Sequence, residues 1–189
     1  MSSTFFGIQV ALKLSNSDPL RKELSEAVLE HSKASSIMDQ RLLWSKIGRK
    51  LANASDAIEY GCWDLVTKKA PEEYEDWAST LEAMAAWPEE HFGVEGDHLL
   101  VSVIALVIKG SNADQTLGTL CDIPKSKWHS LLAYKKLLGA MPQLNFFSVI
   151  GNGLYVAPRP DSPGFSMDVL SGEGFEHLKK RTWSRDYSA

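Results

Sequence analysis

The sequence predicts a mainly α protein with a small β-hairpin or sheet, in which a helical N-terminal region packs on a second, smaller module. Three observations predict it. Leu43, Ile47, Leu51, Ala54, Ile58, Cys62 and Leu65 recur at steps of three or four, the stripe of a long helix. The run from Leu99 to Ile108 is apolar on every side, as a buried helix is. Two apolar runs, LNFFSVI and LYVA, flank Gly151-Asn152-Gly153, residues that supply the positive φ angles of a tight hairpin turn.

The chain as a whole bounds the reading. At 189 residues, 44% apolar and 23% charged, it has the composition of an ordinary globular protein that needs no disulfide or metal staple. Its two cysteines, Cys62 and Cys121, sit at apolar helical positions and read as buried free thiols of a reducing compartment. The start, MSSTFFGIQVALKLS, lacks the basic residues and small-residue cleavage site of a signal peptide, and no apolar run reaches membrane-spanning length. The expectation is a cytoplasmic protein with no membrane partner.

Taken in order, Phe6, Ile8, Val10, Leu12 and Leu14 alternate with smaller or polar residues as a half-buried strand would, over about 5–14. A helix through Phe5, Ile8 and Leu12 is the competing assignment, and periodicity alone does not separate the two. Asp18-Pro19 starts a helix, with aspartate as cap and proline at its first position. Leu20, Leu24, Ala27, Val28 and His31 share its inner face, where His31 reads as the edge of the packing and not as a ligand. Ser36 and Asp39 resemble a capping box and open the long helix, which runs to Lys69. Pro71 begins another, its first turn loaded with the carboxylates of EEYED, and Tyr74, Trp77, Leu81 and Met84 form its buried stripe. Trp87-Pro88 ends it. Residues 1–97 thus form an acidic helical region, with Trp44, Trp63 and Trp77 as core fillers.

The stretch 98–158 reads as helix, short helix, turn, basic helix and hairpin. Asp97 would cap the first helix and Gly110 would end it; at about eleven residues it is half the length that spans a bilayer. Ser111 or Asn112 caps the next, and Ile123-Pro124 stops it. Ser126 then opens KWHSLLAYKKLLGAM, with Trp128, Leu131, Leu132, Leu138 and Met141 inward and Lys127, Lys135 and Lys136 largely outward. The segment LGTLCDIPKSKWHSLL, followed by the hairpin, resembles a winged helix-turn-helix: Leu117 inward, Gly118 where the helices cross, Ile123 after the turn and Ser126 at the second helix start. The resemblance implies nucleic-acid binding, with Lys125, Ser126, Lys127, His129 and Ser130 facing the groove. Lys135, Lys136 and Arg159 complete the basic set. Beyond Pro158, three prolines and three glycines within 158–174 predict an extended arm over 159–189, with Phe165, Met167, Val169 and Leu170 available to pin it to the body, ending in a short helix from Phe175 to Trp183 that carries Lys179, Lys180 and Arg181.

Charge points the same way. From His98 to Pro160 there are six Lys/Arg and two Asp/Glu, whereas residues 1–97 hold ten against seventeen, so a polyanion would dock on the first segment and avoid the second. Two functions follow: nucleic-acid binding through the basic face, as a subunit of a larger complex, or a helical protein-interaction module whose acidic half meets a basic protein partner. Catalytic motifs do not emerge. There is no G-x-S-x-G, neither cysteine adjoins a histidine, and the glycines are too few for a phosphate loop. His91 and His98 with Glu90, Glu95 and Asp97 are the best metal candidates, yet their spacing matches no known metal motif. No catalytic residue, metal or cofactor is assigned.

Overall fold

A computed structural model describes residues 2–87, 91, 96–158 and 162–182. Its centre is a five-stranded antiparallel sheet in the order β4-β3-β1-β2-β5, with β1 Ser3–Lys13, β2 Ile58–Val66, β3 His98–Ile108, β4 Val149–Ala157 and β5 Lys179–Lys180. The helices are α1 Pro19–Lys33, α2 Ile37–Asn53, α3 Ala70–Ala85, α4 Asn112–Cys121, α5 Leu131–Ala140 and α6 Met167–Leu170. The fold is therefore α/β, and the expectation of a mainly α chain with a small hairpin is overturned. None of the helices is long and apolar enough to cross a membrane, among the described residues.

The layers follow from the alternation of the strands. Phe6, Ile8, Val10 and Leu12 of β1 lie opposite Ala105, Val103, Val101 and Leu99 of β3, and all point to one face. That face is covered by apolar residues of α1, α2, α4 and α5, among them Leu24, Trp44, Leu117 and Leu138. The opposite face carries Phe5 and Ala11 of β1 with Leu100 and Ile104 of β3. There α3 contributes Leu81 and Met84, and the C-terminal segment contributes Phe165, Leu170 and Phe175. A central strand buried on both faces reads as a continuous apolar run, not an alternating one.

That explains the first correction. Leu99–Ile108 is strand β3, apolar on every side because both faces of the sheet are covered there, not because it is a buried helix. Its β-branched residues, Val101, Val103, Ile104, Val107 and Ile108, were the available sign of a strand. Gly110, at φ +80°, turns the chain from β3 into α4. The long helix is also shorter than its stripe: α2 ends at Asn53, a 3-10 turn spans Ser55–Ala57, and residues 58–66 are β2. Ile58, Cys62 and Leu65 continued the helical spacing by coincidence, while the turn-forming Asn53, Ser55 and Asp56 marked the break.

The hairpin is corrected too. Gly151, Asn152 and Gly153 lie inside β4, paired with Leu106, Ala105 and Ile104. Their small size answers to neighbouring rings: a Cβ on Gly153 would approach Tyr155 Cε2 to 2.6 Å, and one on Gly151 would come within 3.1 Å of Tyr74 Cζ. The basic helix starts at Leu131 and not at Ser126. The C-terminal stretch is packed, with Phe165, Leu170 and Phe175 buried, and its last described part is strand β5, not a helix from Phe175 to Trp183.

Other expectations hold. β1 is a strand, although central rather than half-buried; Asp18 accepts from the Leu20 amide at 2.9 Å; and Ser36 accepts from the Asp39 amide at 3.1 Å. Because Ile8 is buried at the middle of β1, Ile8→Ala should lower the unfolding free energy by about 2–4 kcal/mol. Leu132→Ala, at a residue 64% exposed, should change it by less than about 0.5 kcal/mol, both read from urea denaturation.

Candidate functional site

The sequence-expected site residues fall on the connection between α4 and α5. Pro124 leads into a 3-10 turn, Lys125–Lys127, and Trp128 closes it by donating from its indole Nε1 to the Ile123 carbonyl at 2.7 Å. The turn is fixed to the sheet by a second tryptophan: Trp63 of β2 donates Nε1–H to the Trp128 carbonyl at 2.8 Å, and the two rings sit 5.2 Å apart. Lys125 places its ammonium 6.0 Å from the Trp128 ring. Lys125, Ser126 and Lys127 are exposed on this turn, ahead of the helix that sequence reasoning gave them.

Ser130 has a different job. It is buried, caps α5 by accepting from the Ala133 amide at 3.2 Å, and forms a parallel bridge with Thr182. His129 is partly buried; its Nδ1 lies 3.3 Å from the Tyr134 hydroxyl, and burial, aided by the nearby Lys179 ammonium, pulls its pKa below the ordinary histidine value. Lys135 and Lys136 lie on the outward face of α5, where Lys136 donates to the Thr119 carbonyl at 3.4 Å. Arg159 lies outside the described residues.

The structure adds cations to this set. The Thr182 amide donates to the His129 carbonyl at 2.8 Å, which lays β5 and Arg181 against the Lys125–Ser130 segment. Lys179 and Lys180, opposite Gly61 and Tyr60, extend the basic edge. Arg181 is anchored by donating Nη1–H to the carbonyls of Asp56 at 2.8 Å and Ser55 at 3.3 Å. Their basic character was visible in sequence, but their place beside His129 and Ser130 was not.

The histidine candidates for metal do not converge. His98 is fully buried, with Nε2 3.0 Å from Glu59 Oε2 and Nδ1 2.8 Å from Asp97 Oδ1, the second contact close but poorly aligned for a hydrogen bond. Lys13 stands 3.8 Å from the other Asp97 oxygen. Glu90 and Glu95 lie outside the described residues, and among those described no cluster of three or more His, Cys, Asp or Glu could hold a metal. The Glu59 carboxyl is held below the usual carboxylate range, chiefly by its hydrogen bond to His98, against an opposing effect of burial and with help from the charges of His98, Lys13 and Arg181. His31 is likewise engaged, its Nε2 2.6 Å from Asn152 Oδ1.

On the α3 face of the sheet, a pocket of about 350 Å³ runs along β2 between α3 and the C-terminal segment. Gln9, Cys62 and Asp64 form its floor, Asp76, Trp77, Thr80, Leu81 and Met84 one wall, and His177 closes one end. His177 Nε2–H donates to Gln9 Oε1 at 2.7 Å, and burial lowers the pKa of that imidazole. Cys62 is pushed up to about 12 by burial, as is Cys121, so both stay as thiols and neither is a nucleophile at neutral pH. Nothing in the local sequence marks this pocket, because its residues come from four separate segments.

Comparison with protein-family models, with curated proteins and with solved structures returned no match. The residues therefore carry the functional reading alone.

The Glu59 shift fixes a sign. A carboxyl whose folded pKa is depressed contributes stability above its unfolded pKa of about 4.3 and loses it as pH falls through the folded value. Glu59→Gln should therefore flatten the acid limb of a pH–stability profile below about pH 4.3, measured by urea denaturation from pH 7 to pH 3, while Lys22→Gln at an exposed helix surface leaves it unchanged.

Proposed function

We propose that the protein binds nucleic acid, mainly through its phosphates, along the edge formed by the Lys125–Lys127 turn and β5. The observation that carries the reading is the joining of two basic segments far apart in the chain, through the Ser130 and Thr182 bridge. Residues 122–136 and 176–182 together hold seven Lys/Arg and two Asp/Glu, in a chain whose net charge is −4. A local positive field on an acidic protein steers a polyanion to one place.

Lys125, Lys127, Lys135, Lys179 and Lys180 are the phosphate partners in this reading. Arg181 already holds two carbonyls and serves as the anchor. The edge of Trp128, 36% exposed beside Lys125, offers a surface for an unstacked base, a sequence-tolerant contact. The winged helix-turn-helix resemblance implies instead that the start of α5 enters a duplex major groove, so duplex and single strands are compared side by side.

With five phosphates neutralised, log affinity should fall with log salt at a slope of about −3.5 on single strands and about −4.5 on duplex. Lys125→Glu with Lys179→Glu, one charge from each segment, should weaken binding to both strands' forms and reduce the slope by about 1–2, read by fluorescence anisotropy at several salt concentrations. Affinity that ignores salt, or survives the double reversal, overturns the reading.

A second reading, a protein-interaction module, is favoured by one observation. Ile37, Met38 and Phe147 are exposed by 44%, 52% and 74% and line one groove between the start of α2 and the turn before β4. Large apolar side chains at helix starts and sheet edges suit a protein partner. Phe147→Glu should abolish capture of a stoichiometric partner while leaving nucleic-acid affinity unchanged.

A further inference from the structure

We propose that the pocket between α3 and the C-terminal segment is a binding site for a small arylalkylamine: an aromatic ring with a hydrogen-bond acceptor at one end and a protonated amine at the other. The proposal does not rest on the polyanion reading.

The inner end of the pocket asks for an acceptor. Gln9 is 2% exposed, and its Oε1 is taken by His177. Among the described residues its Nε2 has no hydrogen-bond partner, although Gln9 faces the pocket from the floor. Buried side-chain donors are paired in the large majority of cases, so an amide with idle N–H groups at a cavity is a place where a ligand oxygen or ring nitrogen is expected. With Nε2–H committed to Gln9 Oε1, the neutral His177 ring holds the Gln9 amide in place with its Nε2 turned out as the free donor.

The middle is apolar and flat. Trp77, Leu81 and Met84 line the wall, and the un-ionised Cys62 thiol lies on the floor. Gly7 lets the indole lie down on the sheet, since a Cβ there would stand 3.0 Å from Trp77 Cζ3. That arrangement fits an aromatic ring.

The outer end asks for a cation. Asp64 of β2 and Asp76 of α3, both exposed, line the pocket from different elements, and no lysine or arginine is among its described lining residues. A cation, Lys179, acts on His177 at the other end. In register, Cys62 stands opposite Gln9 and Asp64 opposite Gly7. The carboxylate end is thus two residues along the strand from the amide end, about 7 Å at the rise of an antiparallel strand. An aryl ring with a two-carbon amine tail spans that interval. A volume of about 350 Å³ accommodates such a molecule.

The test uses the full chain and three probes that differ at one end each: tyramine, phenethylamine, which lacks the phenol, and 3-(4-hydroxyphenyl)propionate, which replaces the amine by a carboxylate. By calorimetry tyramine should bind with a Kd below about 1 mM, phenethylamine at least about fivefold more weakly, and the propionate at least about tenfold more weakly. Asp76→Asn, on the exposed side of a helix, should weaken tyramine about fivefold or more with an unchanged circular dichroism spectrum. Gln9→Met, where it folds, should abolish the preference for tyramine over phenethylamine and leave phenethylamine binding intact. Absence of tyramine binding at millimolar concentration overturns the proposal. So do equal affinities for amine and acid, or binding indifferent to Asp76→Asn.

Discussion

The structure depends on the burial of both faces of β1 and β3. These two strands pair over eleven residues, Ser3 to Lys13 against Ile108 to His98, without a break in register. Helices cover one side of that ribbon, and α3 with the C-terminal segment covers the other. With no solvated face, each side chain must be apolar or find an internal partner. The apolar positions supply the main driving force of the fold. The few polar ones, Gln9 and His98 among them, are where the ribbon departs from pure packing, and Gln9 leads directly to the pocket.

An internal anchor secures the second layer. Arg21 of α1 is 1% exposed, with Nη1 donating to Asn16 Oδ1 at 3.0 Å and to the Leu14 carbonyl at 3.4 Å, and Nη2 donating to the Ser162 carbonyl at 2.9 Å. Burial lowers its pKa while Asp18 and Asp97 oppose the shift. The planar, strongly basic guanidinium is suited to such a place, since it satisfies several carbonyls at once and stays charged. Through it, the N-terminal loop, α1 and the segment after β4 are tied together. The surface ion pairs contribute far less: Lys46 and Glu30, about half exposed, face water on most sides.

The two edges of the sheet are managed differently. β5 is only two residues long, and beyond it Thr182 is bridged to Ser130, so the β2 side ends in a short strand and a turn that carry lysines. Short and charged edges resist pairing with other chains. The same cations that close the sheet are thus those of the polyanion reading. At the other edge Asn152 of β4 is hydrogen-bonded to Gln40 at 3.2 Å and lies beside His31, which ties that strand to α2 and α1.

The sequence alone determined what short-range chemistry specifies. The caps at Asp18, Ser36 and Ser111, the helix start at Pro71, the stop before Pro124 and the alternation in β1 all act within a few residues, and each is where it was expected. Tertiary structure decided the rest, for a physical reason. A strand covered on both faces loses its period of two, so Leu99–Ile108 carried the same apolar signature as a buried helix, and only the partner strands distinguish them. The joining of β5 to the His129–Ser130 segment, and of Gln9, Asp64, Asp76 and His177 around one cavity, arises from residues brought together by sheet register and helix packing. No local pattern encodes such a meeting, because its free energy is that of the whole fold.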